Sequence, residues 1–181
     1  AKTTNGYAKV PQLFAQITQP DDVDFLIIPS VSSERRRYVP IGFATSDVIS
    51  SNAVQIVPNA TLYHFGVLTS NVHMAWMRAV CGRLEMRYRY SKEIVYNTFP
   101  WPNPTDAQKA KVEQTAQAIL DARALYSDCS FADMYGEKMY LFPELLKAHQ
   151  NNDRAVMQAY DFSKEHPAYS SESACVAELM K

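Results

Sequence analysis

Apolar and polar positions alternate with period two from Gly82 to Tyr90 in this 181-residue chain. As one strand, Leu84, Met86, Tyr88 and Tyr90 would face one side and Glu85, Arg87 and Arg89 the other, because successive strand side chains point to opposite faces. Further strands are expected at Phe25–Ile28, Tyr38–Phe43, Ala53–Val57 and Thr61–Leu68, where β-branched and aromatic residues concentrate. Pro40 favours a sheet edge for the second of these. Ser30–Arg37 reads as a polar loop with three consecutive arginines. The period then changes: Val72, Ala75, Trp76, Ala79 and Val80 recur at helical spacing, with Ser70 or Asn71 as cap and Gly82 as stop. Glu93–Tyr96 is expected to continue or pair with the charged strand.

Three prolines lie between Phe99 and Pro104, a composition that no strand or helix interior accepts. With Phe99 and Trp101 beside them, this segment reads as a packed joint between two subdomains, residues 1–102 and 103–181. Beyond it the periodicity is helical. Thr105-x-x-Gln108 is a capping box opening a helix to about Tyr126, with Val112, Ala116, Ile119, Arg123 and Tyr126 along one side. Ser130–Tyr135 gives a short helical turn stopped by Gly136. Pro143 starts a helix over Glu144–Tyr160 that Asn151-Asn152 is expected to interrupt. Ser171 or Ser173 starts a last helix reaching Lys181. The fold class is therefore α+β: a twisted, mostly antiparallel sheet with one helix, followed by a small helical bundle.

Composition narrows the functional classes. Hydrophobic residues at 47% and charged residues at 20% describe an ordinary globular chain with a real core. The net charge of −1 gives no global signal for nucleic acid. Its placement does: residues 1–100 carry ten Lys/Arg against seven Asp/Glu, and residues 101–181 carry eight against twelve. Arg78, Arg83, Arg87, Arg89 and Lys92 form a local basic patch that the overall balance hides. Cys81, Cys129 and Cys175 have neither CxxC spacing nor nearby histidines, and suit a reduced cytosolic environment. The segment Ala1–Val10 lacks the apolar core of a secretion signal, and no window is apolar for long enough to span a membrane.

The chain lacks the glycine-rich nucleotide loops, the G-x-S-x-G elbow, HExxH and EF-hand patterns. His149 and Asp153, four apart on an expected helix, form either a base–orienter pair of a small hydrolase or an ordinary helix-surface hydrogen bond. The arginine run Arg35-Arg36-Arg37 is either a solvated loop or a phosphate contact. The Glu85/Arg87/Arg89 row is either a solvated strand laced by cross-strand pairing, a basic face for an acidic protein partner, or a reader of base edges. Arg donates twice to guanine O6 and N7, and Glu accepts from cytosine N4.

The block from Phe65 to Pro102, FGVLTSNVHMAWMRAVCGRLEMRYRYSKEIVYNTFPWP, resembles the target-recognition region of the MmeI-like (type IIL) restriction–modification enzymes and their DNA methyltransferase relatives. Tyr38–Phe43 after the basic run, and the tail with Ala148-His149 and Asn152–Val156, resemble them as well. The likeness runs from about Phe25 to Tyr160. It implies a bacterial cytoplasmic polypeptide larger than this chain, with an S-adenosylmethionine-dependent adenine-N6 methyltransferase domain and, where present, an endonuclease. The chain would be that protein's recognition and C-terminal part, with no catalytic motif or cofactor of its own. Its expected partners are double-stranded DNA and the methyltransferase domain of the same polypeptide, with no membrane involved. The resemblance further implies base reading by Glu85 with Arg87 as one pair and Ala53 with Arg89 as another. Arg35, Arg36, Arg37, Arg78, Arg83 and Lys92 are the expected phosphate contacts.

Overall fold

The computed structural model describes residues 8–9 and 22–181. Most of Ala1–Val10, read above as lacking a secretion signal, lies outside them.

Two small antiparallel sheets form the first half. In one, β1 (Phe25–Pro29) lies between β3 (Gly42–Ala44) and β4 (Val54–Pro58), with Leu26 opposite Phe43 and Val57. In the other, β2 (Val31–Ser32) and β5 (Gly82–Leu84) flank β6 (Arg87–Arg89). Only part of the expected strand Tyr38–Phe43 pairs. Pro40 has no N–H to give to a ladder, and the Ile41 N–H turns back onto the Val39 carbonyl at 2.9 Å. Tyr38, Val39 and Ile41 are nevertheless buried in the core.

The expected strand Thr61–Leu68 is instead helix α1 (Leu62–Leu68). Its β-branched and aromatic content is outweighed by packing: Tyr63, Phe65, Gly66, Val67 and Leu68 are all buried, and only Leu62 and His64 are half-exposed. The Thr61 N–H donates to His64 Nδ1 at 3.1 Å, satisfying one of the orphan donors of the first turn. Helix α2 (Asn71–Val80) begins at Ser70, whose hydroxyl accepts from His73 N. It ends at Cys81, and Gly82 is the first residue of a strand rather than a helix stop. Lys92–Tyr96 is a single π-helical turn, not a strand, closed by Asn97 N–H on the Lys92 carbonyl at 2.8 Å.

The Pro-rich joint is packed. Phe99 lies edge-on to His73 and Trp76, Trp101 edge-on to Tyr96 and His64, and Tyr160 Oη donates to the Pro100 carbonyl at 2.7 Å. Helix α3 (Asp106–Ala124) carries the expected Thr105/Gln108 capping box. It is followed by α4 (Phe131–Met134), α5 (Pro143–Ala159) and α6 (Glu172–Leu179). Helix α5 runs unbroken through Asn151-Asn152. Asn152 does not re-cap it: fully buried, it donates to the Gly66 carbonyl at 2.7 Å and accepts from Thr115 Oγ1 at 3.0 Å. Helices α1, α3 and α5 thus meet at one polar lock. A Cβ on Gly66 would stand 2.7 Å from Val112 Cγ1, so glycine there allows the close approach.

Candidate functional site

The charged row lies on a hairpin rather than on one continuous strand. Strands β5 and β6 pair with Leu84 opposite Arg87, Arg83 opposite Tyr88 and Gly82 opposite Arg89, leaving Glu85 and Met86 as a two-residue turn. Glu85 takes the left-handed backbone, φ 56°, a conformation a hairpin turn demands and a non-glycine residue rarely adopts. The strain sits directly under one of the expected base readers. Its carboxylate accepts from Arg87 Nη2 at 2.9 Å.

Reversing the chain at Glu85 changes which residues share a face, since directly opposed residues of an antiparallel pair point to the same side. One face carries Arg89 beside Gly82 and Arg87 beside Leu84. The opposite face carries Tyr88 and Arg83, whose guanidinium lies 4.1 Å above the tyrosine ring and donates to the Met86 carbonyl at 3.2 Å. The expected single apolar side divides: Tyr88 and Tyr90 are buried, 8% and 4% exposed, whereas Leu84 and Met86 are 42% and 70% exposed. These two project with the hairpin tip, beyond the protein body.

The hairpin base is fixed to the core. Tyr90 Oη and His73 Nε2 are 3.0 Å apart, and both residues are buried. Burial pushes the His73 pKa down to about 3, holding the ring neutral, and drives the Tyr90 phenol upward. Ser30, at the bend between β1 and β2, ties the hairpin to the first sheet. Its N–H donates to the Ala53 carbonyl and its carbonyl accepts from Tyr90 N–H, both at 2.9 Å. Val31, next in sequence, is the cross-strand neighbour of Arg89. Ser30 therefore links Ala53 to Tyr90, the residue that follows Arg89. Ser30 has no sequence signature that marks this pivot.

Arg89 and Arg87 are exposed, and the Arg89 side chain has no hydrogen-bond or ion-pair partner among the described residues. The other basic residues divide. Arg35 is exposed and pairs with Glu137 at 2.8 Å, and Arg37 is exposed with its guanidinium 5.5 Å from the Tyr38 ring. Lys92 is exposed 3.8 Å from Glu93. Arg78 turns inward: it pairs with Glu172 at 2.7 Å and donates to the carbonyls of Arg36 and Arg37. It shapes the arginine loop, as Arg83 stiffens the hairpin.

His149 and Asp153 do not form a catalytic pair. His149 is wholly buried, stacked 4.2 Å from Tyr38, with Nε2 2.8 Å from Tyr135 Oη. Tyr135 Oη also accepts from Arg123 Nε at 2.7 Å, and His149 Nδ1 is buried without a hydrogen-bond partner among the described residues. Burial, with Arg123 nearby, drives the His149 pKa well below its ordinary value. Asp153 accepts instead from Tyr38 Oη at 2.6 Å and Asn71 N at 2.7 Å, and burial raises its pKa. A base without access to solvent or substrate, whose intended orienter points elsewhere, rules out the hydrolase reading and the helix-surface bond alike. Among the described residues no group of three or more His, Cys, Asp or Glu is placed to hold a metal, and no helix is long and apolar enough to cross a membrane.

Comparison with known proteins fits this geometry. The MmeI target-recognition domain family matches residues 1–103, and the MmeI C-terminal domain family matches residues 104–181. The chain is 38% identical over 159 residues to DNA methyltransferase A of Bacillus subtilis (strain 168), covering 88% of this chain and 18% of that protein. It is also similar to a solved structure of the type IIL restriction–modification enzyme MmeI in complex with DNA. The identity is 47% and the TM-score 0.88, over 99% of this chain and 23% of that one. The chain therefore spans less than a quarter of the length of the relatives it matches.

Proposed function

The chain belongs to the MmeI target-recognition domain family, continued by the C-terminal domain of the same enzymes, and on that premise we propose that it reads double-stranded DNA sequence for a restriction–modification methyltransferase. The observation that carries the reading is the hairpin: a rigid, two-stranded ribbon of exposed Arg and Glu, anchored by two buried tyrosines. The major groove admits a two-stranded β-ribbon, and these are the side chains that pair with guanine and cytosine edges there.

Glu85 and Arg87 would read one C·G pair, Glu accepting from cytosine N4 and Arg donating to guanine. Arg89, taken together with Ala53, would favour a purine at a second position. The Arg35–Arg37 loop and Lys92 would contact phosphates. Arg78 serves that surface from beneath, through the carbonyls it holds. In the whole polypeptide a methyltransferase domain would supply the S-adenosylmethionine site and take the flipped adenine for N6 methylation.

The test is equilibrium binding by the longest natural polypeptide containing this chain, using a duplex selected from a randomised pool. Arg89→Ala should relax preference at one base pair. Arg35→Ala should weaken all duplexes about equally and lower the salt slope by about 1. A pool that yields no preferred sequence, or a polyanionic protein that competes as well as the selected duplex, contradicts the proposal.

A further inference from the structure

The hairpin carries more on its reading face than charge. Leu84 stands directly opposite Arg87, so the two side chains leave the ribbon on the same side. Leu84 is 42% exposed and Met86, at the turn, 70% exposed. A hairpin tip meant only for solvent has no use for two apolar side chains among Glu85, Arg87 and Arg89. Nor do they belong to the core, because the tip stands clear of it and Tyr88 beneath is already covered by Arg83. The tip is also preorganised, by the Arg83 bond to the Met86 carbonyl and by the Glu85–Arg87 pair. Leu84 is therefore held at a fixed place beside a proposed guanine reader.

On the proposed reading of DNA by this hairpin, we infer that Leu84 is a further specificity-determining residue, whose side chain packs against the C5-methyl group of a thymine neighbouring the C·G pair read by Glu85 and Arg87. Directly opposed side chains of an antiparallel pair start roughly 5 Å apart at Cβ. Successive nucleotides on one strand are about 3.4 Å apart. A side chain beside Arg87 therefore reaches the next base-pair step, and the thymine methyl is the apolar feature of the major groove. Arg89 has Gly82 in the equivalent place and lacks such a companion.

The experiment replaces each thymine of the selected duplex by deoxyuridine, one at a time, and measures binding by the same full polypeptide. Deoxyuridine keeps the O4 acceptor and loses only the methyl. Wild-type protein should lose about fourfold at one thymine adjacent to the C·G pair, the factor a buried methyl is worth. Leu84→Ala should bind thymine and deoxyuridine there equally, and Leu84→Met should restore discrimination. Insensitivity to every deoxyuridine while the selected duplex is still preferred overturns the inference and leaves the base-reading proposal standing. Loss of all sequence preference in the wild-type protein overturns both.

Discussion

Exchanging the charges of the hairpin tip, Glu85→Lys with Arg87→Asp, tests whether that tip reads a base pair. The two side chains are 2.9 Å apart and 78% and 47% exposed, so their ion pair adds about 1 kcal/mol at most to folding. The double exchange keeps an ion pair of opposite sense and therefore keeps the tip ordered. Either single exchange leaves like charges two residues apart: two cations after Glu85→Lys alone, two carboxylates after Arg87→Asp alone. Lysine in place of Glu85 must accept the same left-handed backbone, φ 56°, so the strain is little changed. The expected consequence falls on recognition. Lys donates to guanine and Asp accepts from cytosine, so the preferred C·G pair becomes G·C. Each good contact discriminates by about 1–3 kcal/mol. That is roughly 5-fold to 150-fold per contact, and the two act together. The assay is methylation-site mapping with the full polypeptide, alongside each single exchange, for which loss of activity without a new sequence is expected. An unchanged target after the double exchange refutes the assignment of Glu85 and Arg87 as base readers.

Gly66→Ala should destabilise the protein although alanine is the better helix former. The new Cβ would meet Val112 Cγ1 at 2.7 Å, and Ala116 Cβ and Asn152 Oδ1 at 3.1 Å. Overpacking of this kind costs about 1–3 kcal/mol, more than the ~1 kcal/mol gained in propensity. The melting temperature should fall by a few degrees and partly recover with Val112→Ala; a rise refutes the close-approach account. Stability should also decline below about pH 6.5. His73 has a folded pKa of about 3, far under its unfolded value, so its contribution is complete above the unfolded pKa and is lost as pH falls toward the folded one. At pH 5 this amounts to about 2 kcal/mol. The buried His149 acts in the same sense, while Asp153, with a raised pKa, opposes it. Denaturant unfolding at pH 7 and pH 5 should show a smaller difference for His73→Gln than for wild type; equal differences contradict the claim.

What the sequence disclosed, and what it hid, follows from how local each signal is. The capping box at Thr105/Gln108, the cap at Ser70 and the apolar run of β1 depend on neighbours within four residues, and the structure has them. The α+β class was legible for the same reason. The hairpin was hidden because Glu85-Met86 has none of the Asn, Asp or Gly chemistry that announces a tight turn. Two three-residue strands joined by such a turn read as one alternating strand, which put Leu84 and Met86 on the side of Tyr88 and Tyr90. Helix α1 was hidden because Tyr63, Phe65 and Val67 alternate and favour strands, and contact with α3 and α5 through Gly66 and Asn152 decides otherwise. The link from Ala53 to Tyr90, the residue after Arg89, runs through the backbone N–H and carbonyl of Ser30 and leaves no mark in sequence. The spacing of His149 and Asp153 does not reveal that His149 is buried against Tyr38 and Tyr135 while Asp153 turns to Tyr38 and Asn71.

The central claim is that the exposed face of this hairpin reads base edges in the major groove. Replacing guanines of the selected duplex one at a time by 7-deazaguanine removes an acceptor that exists only in that groove. The account predicts that one such substitution weakens binding by the wild-type polypeptide roughly 5-fold or more, and that Arg87→Ala binds both duplexes equally. If no 7-deazaguanine affects wild-type binding, or if Arg87→Ala remains as sensitive as wild type, the hairpin is not the reader.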